Sequence, residues 1–310
     1  MLRYVETRPC PGLRPYLECV WEVAGVRPSR ERGSERVVPD GCPELILHLG
    51  DPFARRKGGR WVVQPRAFLA GALSRPWTLR AGRRVLTVGV RFRPGATTAA
   101  FSIEMRTAMD REVSLARLVG RADAAALMGP LGRATTRPAR FRATQDWLLT
   151  RVQPADGRCG RRARGESGRR VQGEDARKAV RLVLRERGQC RVDDVATALG
   201  WSRRRLERVF ARHVGLRPKL FARIVRLNAV LAGRDAAERD AAVDVALAAG
   251  YFDQAHLLRD FRVLAGRTPR TRRVADGELA RHFTHPERLR TLLAGDDVSH
   301  SSKPGRQGAA

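Results

Sequence analysis

Cysteine is sparse and unpatterned in this chain. Cys10, Cys19, Cys42, Cys159 and Cys190 are odd in number, scattered, and never in a CxxC spacing. This argues against a disulfide framework and against a zinc site. His48 stands alone in an apolar run, with no HxH partner or neighbouring carboxylate pair, so no metal is expected. Long apolar runs are also missing. The N-terminus, MLRYVETRPCPGLRPYLECVW, holds nothing long enough for a signal peptide, and no segment approaches the ~20 apolar residues that span a membrane. The expectation is a soluble, cytoplasmic protein. No GxSxG, Walker A, HExxH or GxGxxG loop occurs, so neither an enzyme nor a cofactor is expected.

What the chain has in excess is positive charge. Its 310 residues carry a net +29, a surface that attracts polyanions and puts nucleic acid first among partner classes. Hydrophobic residues make up 43%, enough to bury cores, and the length suggests two domains. Only four of the 61 basic residues are lysines, so a preference for Arg runs through the whole chain. Residues 174–273 hold 23 basic and 12 acidic side chains. Most of the excess lies elsewhere, and charge alone does not locate a binding surface.

Up to about residue 95 the chain reads as short strands between turns: Glu44–Leu49, Trp61–Val63, Phe68–Gly71 and Val85–Phe92. Such punctuation predicts a sandwich or small barrel. From Pro94 to Val152 the period becomes helical, with Leu115, Leu118 and Val119, then Phe141, Trp147 and Leu148, on apolar faces. The expected organisation is a sensor or dimerisation domain over 1–152, a flexible linker over 153–173, a DNA-binding domain over 174–273, and a partly disordered extension over 274–310. The linker reading rests on QPADGRCGRRARGESGRRVQG, which has almost no apolar side chains with which to offset ordering entropy.

Within 174–273 one pattern occurs twice. Val195-Ala196-Thr197-Ala198-Leu199-Gly200-Trp201-Ser202 leads into Arg203–Phe210, and Val245-Ala246-Leu247-Ala248-Ala249-Gly250-Tyr251-Phe252-Asp253 leads into Gln254–Phe261. Gly200 and Gly250 suit helix exits that need positive φ. Ser202 and Asp253 can N-cap the helices that follow, and Trp201/Leu206 and Phe252/Leu257 fit hydrophobic staples. In the helix before each turn, Val195, Ala198 and Leu199 of the first copy are expected inside. Leu206 and Phe210 should form the buried edge of the next helix, leaving Arg204, Glu207, Arg208 and Ala211 as one outward stripe. Arg pairs bidentately with guanine and Glu accepts from cytosine. The second stripe, Ala255, Leu258, Arg259 and Arg262 flanked by Gln254 and His256, is poorer: Gln suits adenine, while Ala and Leu offer apolar contact alone. Ser202, Arg203, Arg205, Arg217, Lys219 and Arg267 are candidate phosphate contacts, which set register rather than read sequence. Pro218 opens a long helix ending near Gly233, which at 1.5 Å per residue gives about 24 Å between the two units. Plain amphipathic helices with solvated arginines would not repeat glycine, cap, staple and core Phe in that order.

These residues resemble the C-terminal domain of AraC/XylS-type transcription regulators. Asp244-Val245-Ala246, Ala249-Gly250-Tyr251, Leu257-Leu258-Arg259-Asp260-Phe261 and Gly266-Arg267-Thr268-Pro269 carry the likeness, over about 100 residues. The resemblance implies two helix-turn-helix units joined by a helix, double-stranded DNA as partner, and transcription activation by contact with RNA polymerase. By position it puts base-facing roles on Arg204, Glu207, Arg208, Gln254, Ala255, Leu258 and Arg259. Phe252-Asp253 departs from the usual polar-then-small pair. The N-terminal part resembles accessory domains of such regulators through Val38–Leu45, Ala70-Gly71 and Gly89–Gly95. That likeness implies a cupin-like β-barrel with following helices, hence an α+β chain, with effector sensing or homodimerisation as its role. Taken alone, Pro39-Asp40-Gly41 reads as a turn and Arg93-Pro94-Gly95 as a strand-to-helix corner. Two other readings stay open: a methyl-accepting DNA-repair protein using Cys42, and a non-specific basic nucleic-acid binder.

Overall fold

The computed structural model describes residues 2–27, 33–152, 166–234, 250–251 and 253–267. The N-terminal region is built from two antiparallel sheets. Strands β1 (Leu2–Thr7), β2 (Leu17–Val26), β3 (Glu35–Val37), β4 (Glu44–His48), β5 (Ala54–Lys57), β6 (Arg60–Val63), β7 (Ala67–Ala70), β8 (Trp77–Arg80), β9 (Arg84–Phe92) and β10 (Glu112–Ser114) follow in order. Six pair as β1-β2-β9-β4-β7-β10 and four as β3-β8-β5-β6. Alternation explains the pairing. β4 and β9 are buried on both faces, since one side meets the second sheet and the other meets helices, so they read as continuous apolar runs.

Trp21, Val23, Ile46, Phe53, Phe68 and Val85 form the core between the sheets, with Val37 and Leu79 packed against it from the smaller sheet. A cavity of about 50 Å³ remains there, bordered by Trp21, Trp77, Phe53, Phe68, Glu44 and Gln64. Small-molecule sites are typically ~300–1,000 Å³; a ligand of that size would have to part the sheets. His48 also lies in this layer, fully buried, its Nδ1 2.9 Å from Thr87 Oγ1.

On the other face of the larger sheet lie α1 (Leu115–Val119), α2 (Arg121–Arg133) and α3 (Arg137–Leu149). Leu127, Leu131, Phe141 and Leu148 pack there against Leu45, Leu69, Val88 and Val90. Glu22, 2% exposed on β2, is held by Arg140 at 2.6 Å and Arg137 at 3.2 Å. These guanidiniums keep the carboxylate from being a buried charge without a partner, the costly case.

The C-terminal region is helical: α4 (Glu166–Arg185), α5 (Val192–Ala198), α6 (Arg203–His213), α7 (Pro218–Arg234) and α8 (Gln254–Asp260), followed by a π-helical turn over Phe261–Ala265. Two expectations change here. The second half of the expected linker is helical, since α4 begins at Glu166 rather than near 174; residues 153–165 lie outside the described residues. In α5, Ala198 is exposed and Ala196 takes its place inside beside Val195. The inward stripe is therefore 192, 195, 196 and 199, one helical face of period 3.6.

The two regions share a core. Val38, Cys42 and Ala72 from the N-terminal side belong to the same buried cluster as Leu206, Phe210, Phe221, Ile224 and Leu231. Asn228 Nδ2 donates to Pro39 O at 3.1 Å, and Thr98 Oγ1 lies 2.7 Å from His213 Nδ1. Gly41, at φ 85°, lies where a Cβ would meet Phe221 Cε2 at 2.6 Å. The segment that reads as a turn in sequence is therefore also the seat of α7. Asp40 makes the turn, its Oδ1 accepting from Cys42 N at 2.8 Å, while its other carboxylate oxygen meets Arg91.

Candidate nucleic-acid interface

Gly200, at φ 65°, ends the first helix of the first unit, and Ser202 Oγ accepts from Arg205 N at 3.3 Å to cap α6. A cap of this kind stabilises a helix by about 1 kcal/mol. Leu206 and Phe210 are fully buried, and Trp201 is partly buried against the same cluster. That fixes the rotation of α6. Arg204, Glu207 and Arg208 consequently face outward and are exposed, with Ala211 half-buried at the end of the stripe.

The exposed cations of α6 divide into two sets. Arg203 bonds Glu207 at 3.2 Å and Asp193 at 3.4 Å, and Arg205 bonds Asp175 at 2.9 Å while lying 4.5 Å over the Trp201 ring. Arg204 and Arg208 have no ion-pair or hydrogen-bond partner among the described residues. They stand one turn apart on the same face, presenting two guanidinium forks to solvent. Exposed ion pairs are each worth about 0–1 kcal/mol, so phosphate can replace the carboxylates on Arg203 at little cost, whereas Arg205 is held more firmly by Asp175, whose side chain is only 13% exposed. Glu207 at present covers Arg203. Arg217 and Lys219 are exposed at the start of α7, where free backbone N–H groups and the helix dipole favour anions.

The second unit shares the turn and cap. Gly250 has φ 76°, and Asp253 Oδ1 accepts from His256 N at 2.6 Å. Ala255, Arg259 and Arg262 are exposed and Leu258 is half-buried; Arg267 is half-buried just past the π-helical turn. The helix expected over Val245–Ala249, the Phe252 staple, the Gln254 side chain and the extension over 274–310 lie outside the described residues.

Sequence patterning missed what anchors this unit. Asp260, 1% exposed, accepts from Arg223 Nη2 at 2.7 Å and Nε at 3.0 Å, and Tyr251 Oη donates to it at 3.2 Å. Burial, and then the Asp260 carboxylate, raise the Tyr251 phenol above its ordinary value, so it stays a donor. α8 is thereby tied to α7. The available signal was an acidic residue inside an apolar helix face, beside Phe261.

Cys42 is buried, its Sγ 3.7 Å from Glu18 Oε2. Burial and the Glu18 and Glu44 carboxylates push its thiol well above the ordinary range. A methyl acceptor needs thiolate, and this site holds the proton on. Around it, Arg91 bonds Glu18 at 2.8 Å, Glu44 at 2.6 Å, and Asp40. Three carboxylates share one guanidinium, and burial with Glu18 beside it raises Glu44 to about 8.

Two turn-and-cap units, each leading into a helix with an outward polar or basic face, define a helix-turn-helix DNA-binding protein. Residues 195–274 match the family described as a helix-turn-helix domain, and residues 5–114 match a domain of unknown function, DUF6597. The C-terminal region is a helix-turn-helix domain of the AraC type, and the chain is a DNA-binding transcription regulator with an N-terminal accessory domain. No curated protein matches the chain. A solved structure similar to it is the crystal structure of the AraC-like transcriptional activator CuxR, at 15% identity over 67% of this chain and 79% of that chain, with a TM-score of 0.25. No helix among the described residues is long and apolar enough to cross a membrane.

Proposed function

We propose that the chain binds a specific DNA sequence through two adjacent major grooves and activates transcription there by contacting RNA polymerase. The observation that carries this reading is the free, exposed pair Arg204 and Arg208 on a helix whose rotation is fixed by Leu206 and Phe210. α6 is the principal base reader, through Arg204, Arg208 and Glu207. α8 is the weaker one, with Gln254, Ala255, Leu258 and Arg259 toward the bases. Ser202, Arg203, Arg205, Arg217, Lys219 and Arg267 hold phosphates. α7, 17 residues long, spans about 25 Å and sets the spacing toward the ~34 Å of one DNA turn. The two grooves then lie on one side of the duplex.

The test is selection of bound duplexes from a random pool, followed by footprinting. The reading expects one enriched sequence, protected over two blocks about one helical turn apart. Uniform affinity for all duplexes at physiological salt would instead make the protein a non-specific basic binder. A reporter fused downstream of the selected site tests the direction of regulation: expression rises if the chain activates.

A further inference from the structure

The four-stranded sheet has one face turned away from the core. Strand alternation puts Arg36, Thr78, Arg80, Ala54, Arg56, Trp61 and Val63 on that face, while Leu79, Trp77 and Arg55 point inward. None of the outward seven is acidic. Arg36 pairs with Thr78 and Arg56 with Trp61; continuing the β5–β8 register sets Arg56 beside Thr78, so Arg36, Thr78, Arg56 and Trp61 form one cross-strand row. Arg80 lies 4.5 Å over the Trp61 ring. Arg75, just before β8, is exposed, whereas Arg60 at the hairpin tip alternates with Trp61 and falls on the Lys57–Trp77 side. Among the described residues no carboxylate pairs with Arg56 or Arg75.

This face is continuous with the second DNA-reading unit. Arg36 Nη1 donates to Gly266 O at 2.7 Å, and a Cβ on Gly266 would stand 3.1 Å from Pro76 Cγ. The antiparallel register brings the hairpin tip to the Trp77 end of β8, beside Pro76. Burial, and then the nearby charge of Arg267, hold the Arg36 guanidinium below its ordinary value. The row crosses three interstrand steps, about 14 Å, or about four nucleotides of one DNA strand at 3.4 Å each.

We propose that the outer face of the β3-β8-β5-β6 sheet is an additional phosphate-binding surface for the same DNA duplex. It continues the path of the backbone past the second helix-turn-helix unit. It rests on the reading of the C-terminal domain as a DNA reader, and it supplies backbone contacts where α8 itself is poor in charge. Arg56 on the face and Arg75 beside it hold phosphates, and Trp61 stiffens the sheet edge under Arg80.

The experiment uses the full chain and the duplex recovered by selection, made in two lengths: one ending at the footprint of the two helix-turn-helix units, the other carrying ten further base pairs on each side. For the double variant Arg56→Gln and Arg75→Gln, the salt dependence of binding should flatten by about 2 on the long duplex, at ~0.9 per phosphate contact. It should stay unchanged on the short one. Hydroxyl-radical footprinting of the unaltered protein should show added backbone protection on one flank only, a readout independent of the variant's folding. An unchanged slope on the long duplex, or an equal loss on both lengths, overturns the surface. If selection enriches no sequence at all, the DNA-reading assignment itself fails first.

Discussion

Asn228, on α7, donates from Nδ2 to the carbonyl of Pro39 in the N-terminal domain, 3.1 Å away and out of solvent. Pro39 precedes the Gly41 whose missing side chain leaves room for Phe221 of the same helix. The N-terminal sheets are thus in direct contact with α7, which the proposed function makes the spacer of the two readers. Asn228→Ala should lose about 1–3 kcal/mol, because a buried carbonyl is left without its donor. Gly41→Ala, strained at φ 85° and pressed against Phe221, should lose a similar amount. Calorimetry checks both. The unaltered chain should melt in one transition, and each variant should separate the two domains into two.

Arg208→Ala should weaken binding to the selected site by about 1–3 kcal/mol and leave non-specific binding nearly unchanged. Arg203→Ala should cost less and equally on every sequence, since Arg203 is already engaged by Glu207 and Asp193. Titrations on specific and scrambled duplexes distinguish the two. An equal loss for Arg208→Ala on both duplexes would reassign it to phosphate.

Asp260→Ala strands Arg223 and the Tyr251 hydroxyl. The expected loss is about 3 kcal/mol, at the low end for a broken buried pair because Arg223 is 29% exposed. Its more telling effect is on DNA. With α8 freed from α7, the footprint should shrink to the block read by α6. A full two-block footprint in a folded Asp260→Ala protein would show that this anchor does not set the second reader.

Burial holds His48 and His213 at about 4, against an ordinary 6.5. Both are neutral in the fold and take up protons on unfolding between these values, so stability rises with pH across that window. It is fully present above about 6.5 and is lost as pH falls toward 4. Urea midpoints measured from pH 4 to 7.5 should trace this slope, and His213→Gln should flatten it. A slope identical in the variant would place the acid sensitivity in other groups. Glu44, raised from 4.5 to about 8, works in the opposite direction between those values, because it stays protonated in the fold while ionised in the open chain. One carboxyl against two imidazoles leaves the net slope positive up to about 6.5 and negative from there to about 8.

The C-terminal half was legible because local rules and tertiary structure agree there. A cap, a glycine at positive φ and an apolar stripe each act over a few residues, so Ser202, Gly200 and the Leu206–Phe210 edge could be placed from spacing alone. Ala198 shows the limit: two alanines two positions apart differ little in pattern, and only contact with neighbouring helices selects Ala196. In the N-terminal half, apolar runs marked β4, β7 and β9, whose faces are both covered, and the shorter run Trp61–Val63 marked β6. Strands β3, β5 and β8 are short and mixed, and the pairing of β8 with β3 and β5 is non-local.

By itself, then, the sequence determined the two helix-turn-helix units and the outward stripe of α6, because helical periodicity and capping are short-range. It also determined the class of partner, because net charge is a sum that needs no fold. Tertiary structure alone decided which arginines are free, since Asp175 and Glu207 occupy Arg205 and Arg203 while Arg204 and Arg208 remain open. It decided that α4 reaches back to Glu166, and that Val38 and Cys42 of one domain complete the core of the other. Those outcomes depend on residues far apart in the chain meeting at packing distance, which no local pattern encodes.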